Sequence, residues 1–232
     1  MPARHPLAAA TPLLVVLLAT AEAAAGQRIP SPYRFYETRQ EVSVFGGWVD
    51  PGTGQFGYGP GPGPMLGARY SVDLSEPLSV EAVLDWVPTT RDVMDPRRQE
   101  GNRKIGTAKD YLVTLDARFK LSLTGARTWH HLNPFVSAGA GAAWDLAPTA
   151  LDEVDLIQTD RFDFKTSFLG NLGGGVRWFF NDHWVVRGEG TLQIWKLKTP
   201  SGFTLVERGF GNVGSAEWVN AKSATIGLSW RY

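Results

Sequence analysis

The chain has 232 residues, 43% hydrophobic and 20% charged, which is enough for one substantial domain and too little for two. Lys plus Arg and Asp plus Glu both number 23, so no net charge points to nucleic acid and any electrostatic argument is local. With no cysteine, a disulfide framework, a thiol nucleophile and a cysteine-ligated metal are excluded.

Residues 1–25 read as a cleaved export signal. Arg4 and His5 precede an apolar stretch that is densest from Leu13 to Ala19, and Ala23, Ala24 and Ala25 supply the small residues of a cleavage site. No later segment approaches 18 consecutive apolar residues, so a membrane location for the mature chain requires strands rather than helices.

From residue 39 onward, stretches of about ten residues alternate apolar and polar positions, the period of a strand. Strand one is expected from Arg39 to Val49, and strand two from Pro64 to Leu74 with Leu66, Ala68, Tyr70, Val72 and Leu74 on its apolar face. Strand three, Leu78 to Val87, sets Leu78, Val80, Ala82, Leu84 and Trp86 against Ser79, Glu81, Val83 and Asp85. Strand four, Asp110 to Leu121, sets Tyr111, Val113, Leu115, Ala117, Phe119 and Leu121 against Asp110, Thr114, Asp116, Arg118 and Lys120. Strand five spans Pro134 to Trp144, strand six ends near Phe180, strand seven spans Trp184 to Trp195, and the last runs to the C-terminus.

The connections alternate in length. Ser75-Glu76-Pro77 and Asn181-Asp182-His183 are tight, and Ser122 to Asn133 is moderate. Asp50 to Gly63, Pro88 to Lys109, Asp145 to Asp163 and Lys196 to Glu217 are long and polar. Short turns at one end and long loops at the other are the anatomy of a transmembrane barrel whose short turns face the periplasm. The expectation is therefore all-β: a closed antiparallel up-and-down barrel of about eight strands over residues 39–232, with 26–38 as a short periplasmic segment.

A soluble barrel keeps its apolar face inside. Here that face carries Trp48, Trp86, Trp144, Trp178, Trp184 and Trp230, too much volume for an eight-stranded interior but well placed at strand ends for aromatic girdles. The charged face then points inward, with Glu41, Asp73, Glu81, Asp85, Asp116 and Glu189 balanced by Arg69, Arg118, Lys120, Arg177, Arg187 and Arg231. Among these, Arg69, Glu81, Asp116, Arg118, Arg177, Arg187 and Glu189 are expected to form a mutually paired network in the periplasmic half of the lumen. The network either rigidifies the lumen or gates a narrow ion path.

The segments PFVSAGAGAAW and GNLGGGVRWFF resemble strands of the small bacterial outer-membrane barrels, the OmpA transmembrane domain, OmpX and OmpW among them. The chain end, Thr225, Gly227, Trp230 and the final Tyr232, resembles the C-terminal signal by which the assembly machinery recognises such barrels. The resemblance covers residues 39–232 and implies a monomer in the outer membrane, contacting the lipid bilayer, lipopolysaccharide and the barrel assembly machinery.

The second long loop is rich in bases (Arg91, Arg97, Arg98, Arg103, Lys104, Lys109) and the third in acids (Asp145, Asp152, Glu153, Asp155, Asp160, Asp163). They either pair with each other or bind ligands, with bases contacting lipopolysaccharide phosphates and acids a divalent cation, though no defined metal loop is present. The mature histidines, His130, His131 and His183, all fall in short turns, so no nucleophile and base pair is placed for lipid chemistry. The expectation is no enzyme, no cofactor and no metal. The role foreseen is envelope integrity or surface interaction through the loops, with a small gated channel and a lipid-modifying enzyme as alternatives.

Overall fold

The computed structural model describes residues 31–37 and 40–232; the expected export signal and the first residue of strand one, Arg39, lie outside them. The strands are β1 (Tyr33–Phe35), β2 (Gln40–Pro51), β3 (Gly63–Asp73), β4 (Leu78–Met94), β5 (Lys104–Ser122), β6 (Arg127–Trp129), β7 (Leu132–Asp145), β8 (Ser167–Phe179), β9 (Trp184–Lys198) and β10 (Ala216–Arg231). A single-turn helix, α1 (Leu151–Val154), lies between β7 and β8.

Eight of the strands form a closed antiparallel ring, β2-β3-β4-β5-β7-β8-β9-β10, with β10 returning to pair with β2. Closure removes both sheet edges, which is the condition for strands to cross hydrocarbon without unpaired backbone groups. The stagger is readable from the register. Starting at Glu41, successive partners are Ser71, Glu81, Arg118, Gly139, Asn171, Gln193 and Ala221, and the row returns to β2 at Pro51, ten residues higher. Eight strands with that stagger tilt by about 40° and close a backbone cylinder of roughly 8 Å radius.

Alternation then decides which side chains meet which solvent. Val44, Leu66, Leu84, Phe119, Leu172 and Ile226 point outward and are 49 to 65% exposed. Trp48, Trp178, Trp184 and Trp230 also lie on the outside near strand ends, whereas Trp86, expected at a strand end, lies outside at the middle of β4. Such a continuous apolar exterior is the face of a protein solvated by lipid. The fold is a transmembrane barrel.

The wall departs from the sequence expectation in three places. The second long loop, expected from Pro88 to Lys109, shrinks to residues 95–103, because β4 and β5 stay paired up to Met94 and Lys104, with an irregularity at Val93/Met94. Pro88 marks no strand end; it sits opposite Tyr111 inside the hairpin. The segment expected as a periplasmic tail includes a strand, since β1 pairs antiparallel with β6, Tyr33 opposite Trp129, across the short-turn end.

The third departure is a seam. Pairing of β3 with β4 stops at Leu66 and Trp86. Continuing that register sets Pro64 against Pro88, with Pro62 and Pro60 beyond, and none of these residues has an N–H to donate. Contact resumes where the Gly61 N–H donates to the Thr90 carbonyl at 2.9 Å and Pro60 bridges Arg91.

Glycines in the wall are of two kinds. A Cβ at Gly141 would lie 2.1 Å from the Leu115 carbonyl oxygen, whereas one at the outward-facing Gly188 meets nothing within 4 Å. Gly141→Val is therefore expected to abolish the shift in gel mobility between unheated and boiled protein that marks a folded barrel, and Gly188→Val to preserve it. A Gly141→Val protein that still shows the shift would contradict the close strand packing described here.

Candidate functional site

The lumen is filled in three layers. In the half nearer the short turns, all seven residues expected to form the network face inward and are buried, none more than 6% exposed. Six of them form one connected set. Arg69 reaches Glu189 at 2.7 Å and Glu81 at 3.6 Å; Arg187 reaches Glu81 at 2.7 Å and Glu189 at 3.0 Å. Arg118 joins Asp116 to Glu189 at 2.5 and 3.5 Å. The seventh, Arg177, belongs to a separate cluster, donating to Glu41, which also lies 3.8 Å from Arg231.

Residues on the same face complete the set. Lys120 sits 3.0 Å from Glu81, and Asp85 lies 3.9 Å from Arg118 while accepting from the Thr114 hydroxyl. Each guanidinium is shared between carboxylates or laid on an aromatic ring, as Arg187 is over Phe135 at 4.1 Å and Arg69 over Phe45 at 4.8 Å. Buried charges are tolerated only when compensated in this way.

The half nearer the long loops is apolar, which the alternation did not reveal. Val49, Met65, Val87, Leu112, Leu169, Trp195, Leu197 and Val219 face inward and are buried. Upon them sits a cap built from the loops. Phe56 stacks on Phe203 at 4.5 Å, Phe203 meets Phe210 at 5.1 Å, and Tyr58 meets Phe162 at 5.6 Å. Arg103 of the second loop lies over Phe210 at 4.7 Å, so all four long loops contribute. The Tyr58 hydroxyl donates to Glu217 at 2.6 Å; burial, then that carboxylate, raises its pKa above the ordinary value of 10, so it stays a donor. The available signal was six aromatics in segments otherwise polar enough to read as solvated loops: Phe56, Tyr58, Phe162, Phe164, Phe203 and Phe210.

Two ion pairs join bases of the second loop to acids of the third, Arg91 to Glu153 and Arg97 to Asp160 at 3.7 Å. Those of Arg98 and Lys104 lie within the second loop, and that of Arg208 joins the fourth loop to the third. Arg91, only 6% exposed, donates to both oxygens of Glu153 at 2.8 Å and to Asp110 at 2.9 Å, clasping α1 to the rim of the β4-β5 hairpin. Arg97 lies 3.0 Å and Arg98 3.6 Å from Asp95, Lys104 lies 2.7 Å from Asp92, and Arg208 lies 2.6 Å from Asp160.

A third layer closes the short-turn mouth. Tyr36, just after β1, stacks on Phe179 at 5.0 Å and donates to the Gly125 carbonyl at 3.0 Å. Arg231 lies over the Tyr36 ring at 5.1 Å. His131 lines the cleft beside them, while His130 and His183 are exposed in the short turns. At the C-terminus, Thr225 and Gly227 lie mid-strand on β10, Trp230 points outward, and Tyr232 stacks on it at 5.0 Å. The Tyr232 amide donates to the Gln40 carbonyl, fastening the last residue to the first barrel strand.

Glu81 serves Arg69, Lys120 and Arg187 at once, so Glu81→Ala leaves three buried cations short of a partner. The expected cost is about 3–5 kcal/mol, read as a lowered denaturant midpoint for the barrel refolded in lipid vesicles. An unchanged midpoint would mean that the network does not stabilise the fold.

The sequence matches no protein-family profile, and no curated protein matches it. Solved structures do match. The outer membrane protein OprG from Pseudomonas aeruginosa aligns over 85% of this chain and 98% of its own, at 13% identity and a TM-score of 0.53. Neisserial surface protein A aligns over 83% of this chain and 97% of its own, at 10% identity and a TM-score of 0.52. At such identities the likeness is one of fold: this chain has the architecture of the small outer-membrane barrels.

Proposed function

We propose that the protein is an integral outer-membrane barrel without enzymatic activity, exported through the signal at 1–25, that holds its four knitted loops at the cell surface for envelope integrity or surface interaction. The observation that carries this reading is the double closure of the lumen. An ion-pair layer and an aromatic cap lie one above the other, and a barrel blocked twice serves as a rigid support rather than a conduit. In this orientation the short turns, β1 and the rest of 26–38 lie in the periplasm, and the long loops lie outside.

The same reading makes Thr225, Gly227, Trp230 and Tyr232 the element recognised by the assembly machinery, the barrel a monomer, and lipopolysaccharide its outer-leaflet neighbour. Four of the six basic residues of the second loop, Arg91, Arg97, Arg98 and Lys104, are already paired with carboxylates, which weakens the case for the loop as the lipopolysaccharide contact.

A second reading rests on the β3-β4 seam. Its prolines leave the wall short of hydrogen bonds beside the apolar part of the lumen, a route for a small apolar solute to pass sideways into the bilayer if the cap opens. Planar-bilayer recording of the purified protein separates a sealed support from an ion-conducting channel, the sideways route for an apolar solute carrying no current: the wild type is expected to show no discrete conductance steps. Reproducible steps in the wild type would overturn the sealed-lumen reading.

A further inference from the structure

Three lysines stand apart from the loop ion pairs. Lys196 and Lys198 on β9 and Lys222 on β10 occupy outward, exposed positions on the wall near the long-loop end. No carboxylate of the described residues makes an ion pair with any of them, although Asp50 is the cross-strand partner of Lys222. Lys222 pairs with Leu192, so Lys196 lies four residues and Lys198 six residues further along the neighbouring strand. At about 3.3 Å per residue those offsets are roughly 13 and 20 Å. A lysine side chain extends about 6 Å, so Lys198 and Lys222 cannot share one phosphate. The wall presents two separate cationic points.

Directly below them runs an apolar groove on the outside of the barrel, lined by Val44, Gly46, Leu66, Val186, Ile226 and Leu228. On β10 the outward positions descend Lys222, Ala224, Ile226, Leu228, so the groove begins two outward positions below the lysine. Gly46 lines it, and a Cβ there would lie 3.4 Å from a Leu66 methyl, an ordinary contact, so the absence of a side chain is not forced by packing. Trp218, partner of Lys196 and 60% exposed, stands beside Lys196, four residues nearer the long loops than Lys222, and Trp48, partner of Ala224, lies just below Lys222.

We propose that this wall of β9, β10 and β2 binds a bisphosphorylated glycolipid of the lipid A class. One phosphate is held by Lys222 and the other by Lys196 and Lys198, with an acyl chain lying in the groove below. Two anionic groups on one rigid headgroup above several acyl chains match two separated cations above an apolar trough. The site rests on the reading that the long loops face the outer leaflet, and it lies on the wall rather than on the loops.

The test is native mass spectrometry of the purified full-length barrel in detergent with diphosphoryl lipid A, cardiolipin or phosphatidylglycerol added separately. Diphosphoryl lipid A is expected to be retained best. The triple variant Lys196→Gln, Lys198→Gln, Lys222→Gln is expected to bind it about a hundredfold more weakly, at about fivefold per lysine. Gly46→Leu, which fills the groove without touching a charge, is expected to weaken it as well, with both variants keeping the heat-dependent gel shift. Equal retention of all three lipids, or undiminished lipid A binding by the triple variant, would overturn the site. Either result leaves the orientation of the barrel in the membrane untouched, because the assay contains no membrane.

Discussion

The width of the lumen is the constraint on which the rest of the structure depends. With a backbone cylinder of roughly 8 Å radius, inward side chains from opposite walls reach one another. In the apolar band the exterior is committed to lipid, so the charged side chains at that level lie inside, and there they cannot stand apart. Arg69 on β3, Glu81 on β4, Arg118 on β5 and Glu189 on β9 come from four strands, yet they form one set of contacts because the cylinder leaves no room for anything else. A wider barrel with the same residues would hold water between them.

The same narrowness explains the division of the interior. Charges compensate one another where the strands are fully ringed, and apolar side chains take over towards the long loops, where Tyr58, Phe164 and Phe203 descend into the mouth. Loop and barrel are thus one packing unit at this end, and Arg91, held by Glu153 and Asp110, ties the helical turn of the third loop to the rim. Loops fastened in this way present a fixed relief. At the other end Tyr36 and β1 close the floor, with Tyr36 packed between Phe179 of β8 and Arg231 of β10.

Much of the fold was legible because the alternation is strict. Leu78 to Val87 and Asp110 to Leu121 announce both their strand character and their two faces, and the charged face contained every member of the lumen network. Less was legible where one residue type does two jobs. Pro88 reads as a terminator but is tolerated within a long hairpin. Phe56, Phe162 and Phe203 sit among turn formers, and nothing local tells that they converge. Gly141 and Gly188 look alike in sequence, yet one is a strand contact that admits no side chain and the other an open position on the lipid face. Which acid meets which base followed from the stagger of the ring, a property of all eight strands together, and it moved Arg177 out of the main network to Glu41.

The chain contains no cysteine, so a single introduced thiol reports its own surroundings. The most direct measurement of the account is labelling of Thr191→Cys, deep in the lumen, against Gly101→Cys, at a loop tip, by a membrane-impermeant maleimide on protein refolded in vesicles. A filled lumen predicts rapid labelling of the loop thiol and none of the lumen thiol until the barrel is denatured. Labelling of both at similar rates would show a water-filled passage and contradict it.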